Sequence, residues 1–156
     1  MGRADTVYLV RHAKAGERRL WTGDDEERPL SKRGWKQSEA IAKRLAGKGA
    51  TALYSSSYVR CVQTLEPLAE LIGTTVAIEP RLVEYQPFEP VLDLLAEVEG
   101  GAVLCSHGDI IPATIQALHR RGMTVETPAD WGKSSVWVLR RKRDRITRGK
   151  VWPPPC

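Results

Sequence analysis

Residues 6–12 read TVYLVRH. An uninterrupted run of apolar and β-branched residues stops at Arg11 and is followed at once by His12. A short solid run of this kind is the pattern of a strand buried on both faces. Residues 102–107, AVLCSH, repeat it: the apolar run stops at Ser106 and again delivers a histidine, His107. Three further short strands are expected at 51–54 (TALY), 74–78 (TTVAI) and 135–140 (SVWVLR).

Helical patterns separate these strands. Ser31 is a suitable N-cap for a helix with Trp35, Ser38, Ile41, Ala42 and Leu45 on one face, ended by Gly47 or Gly49. Ser55-Ser56-Ser57 is expected to cap a second helix through Val62, Leu65, Leu68 and Ile72, stopped by Gly73. Pro67 inside that pattern should kink the helix or split it. Amphipathic helices are also expected over 91–98 and about 110–121, the latter tolerating Pro112 in its first turn. Residues 15–30 and 79–90 read as loops, one with the run Asp24-Asp25-Glu26-Glu27 and the other with three prolines and several glutamates. Short apolar strands alternating with helices predict a three-layer α/β/α sandwich with a mostly parallel central sheet.

A chain of 156 residues suits one domain, read here as 1–156 with a basic, Pro-rich C-terminal tail from about residue 140. With 42 % hydrophobic and 28 % charged residues a normal core is within reach. No apolar run approaches the length of a membrane span, and no leader pattern opens the sequence. Cys61, Cys105 and Cys156 stand far apart, which fits reduced thiols in a cytoplasmic protein and gives zinc no paired ligands. The net charge of +5 is concentrated: residues 139–150 hold Arg140, Arg141, Lys142, Arg143, Arg145, Arg148 and Lys150 against Asp144 alone. The rest of the chain is close to neutral.

Ligands of such sheets sit outside the carboxyl ends of the strands. Four successive strands deliver Arg11 and His12, then Arg60 in the first turn of a helix, then Glu84 in a loop, then His107 to that edge. Two arginines, two histidines and one glutamate do not make a divalent-metal cage. They suit an anion, because the guanidinium fork matches phosphate. A neutral imidazole beside it is positioned to attack phosphorus, and Glu84 is placed to hand a proton to a leaving alcohol.

These residues resemble the histidine phosphatase superfamily, also called phosphoglycerate-mutase-like. Val10-Arg11-His12-Ala13-Lys14 resembles its Arg-His-Gly/Ala signature. Asp25…Arg28-Pro29-Leu30-Ser31…Arg33-Gly34…Gln37 is similar to the following stretch in the small SixA-type branch. Tyr54-Ser55-Ser56…Arg60-Cys61…Gln63-Thr64 and Ser106-His107-Gly108-Asp109 resemble its later motifs. The likeness covers about residues 6–120 in order. Residues 64–69 and 133–139 also look like the phosphatase-like domain fused behind Nudix domains in some actinobacterial MutT-like proteins. The resemblance implies a phosphatase with His12 as the nucleophile that becomes phosphohistidine. Arg11 and Arg60 then hold the phosphoryl group, His107 completes the pocket, Glu84 stands at the proton donor's place, and no metal or cofactor is needed. Ala13 replaces the commoner glycine, a change also found in the SixA-like branch.

The substrates this implies are a phosphorylated small molecule, a nucleotide or a phosphohistidine protein. A mutase needs a longer insertion than the roughly ten residues between the third strand and the next helix, which favours hydrolysis. A different reading makes the chain a catalytically weak anion-binding or nucleic-acid-associated module working through its basic tail. The absence of interleaved aromatics or a nucleic-acid motif argues against that. Lys14 and His119 read as surface or structural residues, and Trp21 as a rim residue of the loop over the site.

Overall fold

The structure, a computed structural model, describes residues 4–156. Among these residues seven strands are present: β1 (Ala4–Arg11), β2 (Ala52–Ser55), β3 (Val76–Ile78), β4 (Ala102–Ser106), β5 (Thr124–Val125), β6 (Val136–Lys142) and β7 (Arg145–Trp152). Four helices join them: α1 (Lys32–Ala46), α2 (Val59–Ile72), α3 (Glu89–Glu97) and α4 (Ile110–Arg120). The strands form one sheet in the order β3-β2-β4-β1-β6-β7-β5. β1 to β4 all run parallel, so their carboxyl ends share one edge. β6 pairs antiparallel with β1 and with β7, and β5 pairs parallel with β7.

Alternation along β1 fixes the layers. Val7 and Leu9 face a core built with Leu95, Ile111 and Ile115 of α3 and α4. Tyr8 and Val10 face the opposite core, with Ile41 and Leu45 of α1 and Leu65 and Leu68 of α2. Burying a side chain such as Leu9 contributes about 1.5–3 kcal/mol, and central strands do so on both faces. That is why β1 and β4 read as solid apolar runs and not as alternating ones.

Local signals place the helices. The Ser31 hydroxyl accepts from the Gly34 N–H at 3.1 Å, capping α1. Gly73, at φ +72°, ends α2 in the left-handed region.

The expected architecture is present, with four local differences. The serine run does not cap α2; Tyr58 holds that place. The Ser55 hydroxyl donates to the Ser56 carbonyl, Ser56 engages His107, and Ser57 donates to Glu26, so all three hydroxyls are used elsewhere. Pro67 lies within α2 without splitting it: buried Leu65 and Leu68 on either side hold the helix where one backbone bond is missing. β5 and β7 have no counterpart in the expected strands. The stretch from residue 140 that reads as a basic tail is mostly the β6–β7 hairpin, leaving only Pro153–Cys156 beyond the sheet. Its charge hides buried positions: Ile146 and Val151 are buried while Arg148 and Lys150 are exposed.

Gly34 is a packing requirement. The Lys14 carbonyl accepts from both the N–H and the hydroxyl of Ser31, at 2.9 and 3.0 Å, and a Cβ at Gly34 would lie 1.9 Å from that oxygen. In an open helix, glycine to alanine stabilises by about 1 kcal/mol. Here Gly34→Ala is expected to destabilise by about 1–3 kcal/mol in urea unfolding, because the oxygen has no room to retreat. A gain in stability would refute the close packing of α1 on the segment after β1.

Candidate active site

The five predicted residues converge at the carboxyl edge of β1 to β4. After β1 the chain stays tied to β4, because the His12 N–H donates to the Ser106 carbonyl at 3.1 Å. The next N–H, of Ala13, donates to the Thr64 hydroxyl at 2.9 Å, and that hydroxyl donates to the Arg60 carbonyl at 2.6 Å. The turn carrying His12 is thereby fastened to α2, which carries Arg60.

The His12 ring is buried, with Nδ1 2.8 Å from the Ala13 carbonyl. A carbonyl only accepts, so Nδ1 carries the proton and Nε2 keeps its lone pair. Burial, aided by the positive charges of Arg60, Arg11 and Lys133, lowers the His12 pKa to about 3. The ring is therefore neutral across ordinary pH.

His107 stands beside it, ring centroids 5.5 Å apart. Its Nε2 lies 2.8 Å from the Ser56 hydroxyl and its ring edge meets Tyr58. Burial, with His12, Arg60 and Arg11 nearby, lowers its pKa to about 2. Its Nδ1 lies 3.6 Å from Glu84 Oε2, a contact that is not an ion pair while the ring is neutral.

Arg60 is 1 % exposed. It donates to the Asp25 carbonyl at 2.9 Å, to the Asp25 carboxylate at 3.2 Å and to Glu84 Oε1 at 2.8 Å. Arg11 donates to the Trp131 carbonyl at 2.6 Å. Its guanidinium lies over Gly108, where a Cβ would come within 2.6 Å of Cζ. Glu84 has its pKa raised, mainly by burial, with Arg60 pulling the other way and Asp109 and Asp25 adding to the rise. Its side chain is largely buried between Arg60 and His107.

Three buried nitrogens of this cluster, Arg11 Nε, Arg60 Nε and the Nδ1 of His107, have no protein partner. Buried polar groups are nearly always paired, and an oxyanion with several lone pairs fits such a set. Among the described residues no group of three or more His, Cys, Asp or Glu side chains is arranged to hold a metal ion.

Several residues of the site went unassigned in the sequence reading. Asp25 joins Arg28 at 2.9 Å, Arg60 at 3.2 Å and Arg18 at 3.5 Å, and these arginines hold its carboxyl below the ordinary range although partial burial opposes them. Lys133 has its pKa lowered by burial and by Arg11, Arg28, Lys14 and Arg60. Asp25, Ser56, Thr64 and Lys133 all fall inside the stretches that carry the family resemblance, where nothing in the sequence assigns them a partner. At the rim, Trp21 donates to the Asp24 carbonyl at 2.8 Å and Tyr85 is exposed. His119 is exposed on α4, away from the cluster.

Comparison with known proteins agrees with this geometry. The model of the histidine phosphatase superfamily (branch 1) matches residues 7–89, which include Arg11, His12, Arg60 and Glu84. A protein of Mycolicibacterium smegmatis named 8-oxo-(d)GTP phosphatase is 36 % identical over 96 % of this chain and 48 % of its own length. The chain thus spans about half the length of that relative. Among solved structures, SixA from Agrobacterium tumefaciens is 26 % identical with a TM-score of 0.71, covering 88 % of this chain and 94 % of its own. The protein histidine phosphatase SixA complexed with tungstate shares the fold at 22 % identity and TM-score 0.75, covering 91 % and 92 %. The chain belongs to the histidine phosphatase superfamily.

The two depressed histidines set an acid limit on stability. Unfolded, a histidine takes up its proton near pH 6.5; folded, His12 holds out to about 3. The stability that depends on it is complete above about pH 6.5 and is lost as pH falls towards 3. Urea unfolding between pH 7 and 4 should show the wild-type slope exceeding that of His12→Asn by up to about 1.4 kcal/mol per pH unit. Equal slopes would mean that His12 titrates freely in the fold.

Proposed function

We propose, proceeding from membership of that superfamily, that the chain is a metal-independent phosphatase that hydrolyses a phosphate monoester of a nucleotide through a phosphohistidine on His12. The observation that carries this reading is the convergence of Arg11, Arg60 and His107, each with an unpaired buried nitrogen, around a neutral His12 whose Nε2 is free. The relative named for 8-oxo-(d)GTP supports a nucleotide as the substrate class.

In the first half-reaction the phosphoryl oxygens take the donors of Arg11, Arg60 and His107. His12 Nε2 attacks phosphorus, and the bond to the leaving oxygen breaks. Glu84, whose pKa is raised mainly by burial, acts as the acid and gives a proton to that oxygen. In the second, the Glu84 carboxylate takes a proton from water as the water oxygen attacks phosphorus. Phosphate leaves, and the lone pair returns to His12 Nε2.

For a nucleotide cleaved at its sugar ester, Glu84 also separates this reading from one with a phosphohistidine protein as substrate. A protonated imidazole leaves without help, whereas an alkoxide needs a proton in the transition state. A carboxylic acid with a raised pKa beside the phosphoryl site serves the second kind of leaving group.

With EDTA present throughout, Glu84→Gln should lower kcat on a nucleoside monophosphate by about 10²–10⁴-fold and affect p-nitrophenyl phosphate far less. Wild-type activity should fall as pH rises past the Glu84 pKa. An equal, small effect on both substrates would remove Glu84 as the acid and favour the phosphohistidine substrate. Loss of all activity in EDTA would overturn the metal-free route.

A further inference from the structure

The basic stretch singled out in the sequence is not used by the catalytic site. In the structure Arg140 and Lys142 of β6 and Arg148 and Lys150 of β7 line one concavity on the sheet face shared with α1. Lys48, just beyond α1, completes its rim, one carboxylate, Glu126, also lines it, and Thr6, Tyr8 and Trp152 form much of the remainder. Its volume is about 530 Å³, within the range of small-molecule sites.

This charge arrangement is costly when left alone. The antiparallel register sets Arg140 directly opposite Arg148, and like charges placed so repel. Among the described residues the one carboxylate within ion-pair distance of these five cations is Glu126, 3.1 Å from Arg148. Lys48, Arg140, Lys142 and Lys150 make no ion pair there. By contrast Arg141, between Arg140 and Lys142, is buried on the opposite face and bound to Asp5 at 2.8 Å, so the uncompensated charge belongs to this face alone.

We infer that this concavity binds a small polyanion carrying several phosphate groups, an oligophosphate, at a site separate from the catalytic pocket. Same-face residues of a strand lie about 7 Å apart and neighbouring strands about 5 Å, so the four strand-borne cations can engage one compact ligand. Two guanidinium forks and two ammonium groups are phosphate donors, and the Thr6 and Thr147 hydroxyls stand at the same wall. A nucleic-acid strand fits less well. Tyr8 and Trp152 are buried in the floor and Arg44 covers the Trp152 ring at 3.6 Å, which leaves no aromatic platform for stacked bases. On β1 the concavity is lined from Ala4 to Tyr8, and Tyr8 and Arg11 are separated by about 10 Å of strand.

The test is calorimetric titration of inorganic tripolyphosphate into protein saturated with vanadate, which keeps the catalytic pocket occupied. One equivalent should bind, more weakly as salt rises. Arg140→Ala/Lys150→Ala should weaken it by about ten-fold or more, with activity on the phosphatase substrate unchanged. Both positions are exposed, and a melting curve like that of wild type certifies the fold; Arg140→Gln/Lys150→Gln serves if the alanine pair melts early. Absence of binding, or binding that the variants leave intact, would overturn the site. Tighter binding of a single-stranded oligodeoxynucleotide or of polyglutamate than of tripolyphosphate would overturn the ligand class.

Discussion

Arg60 is a cation removed almost wholly from water, and the site is organised around keeping it there. A buried guanidinium without partners is strongly destabilising, so it draws carboxylates from separate parts of the chain. Asp25 comes from the loop after β1 and Glu84 from the loop after β3, while Arg60 itself sits in the first turn of α2. One side chain therefore fastens three segments at the carboxyl edge. Arg60 Nε alone of its three nitrogens is left without a partner.

The same burial sets the acid–base character of the pocket. It keeps both histidines neutral and raises the Glu84 pKa, while the arginines supply positive charge. Groups whose environments push their pKa values in opposite directions are what a two-step phosphoryl transfer requires. The Ala13 carbonyl adds direction: by accepting from Nδ1 it leaves Nε2 as the one basic nitrogen of His12.

Much of this was legible in the sequence because it is encoded locally. Apolar runs ending in Arg11-His12 and Ser106-His107 fixed the parallel strands, and parallel strands share an edge. The remainder depends on partners distant along the chain. Asp25 reads as one acid in a run of four until Arg60 is seen to lie against it. Arg141 reads as one of seven basic residues, yet it is buried and bound to Asp5 from the far end of the chain. β7 was hidden because its buried residues, Ile146 and Val151, fall out of strict alternation where the register shifts between Arg140 and Arg141. Ser55, Ser56 and Ser57 look like helix caps until the hydroxyl of Ser56 is found on His107.

The central claim is that phosphorus becomes bonded to His12 during turnover. Mixing the protein with a phosphorylated substrate, quenching in alkali within the first turnovers and mapping the modified peptide by tandem mass spectrometry tests it directly. The account predicts phosphate on His12 alone, disappearing as substrate is consumed and absent from His12→Asn. Turnover with no phosphoenzyme, or phosphate carried on His107, would contradict it.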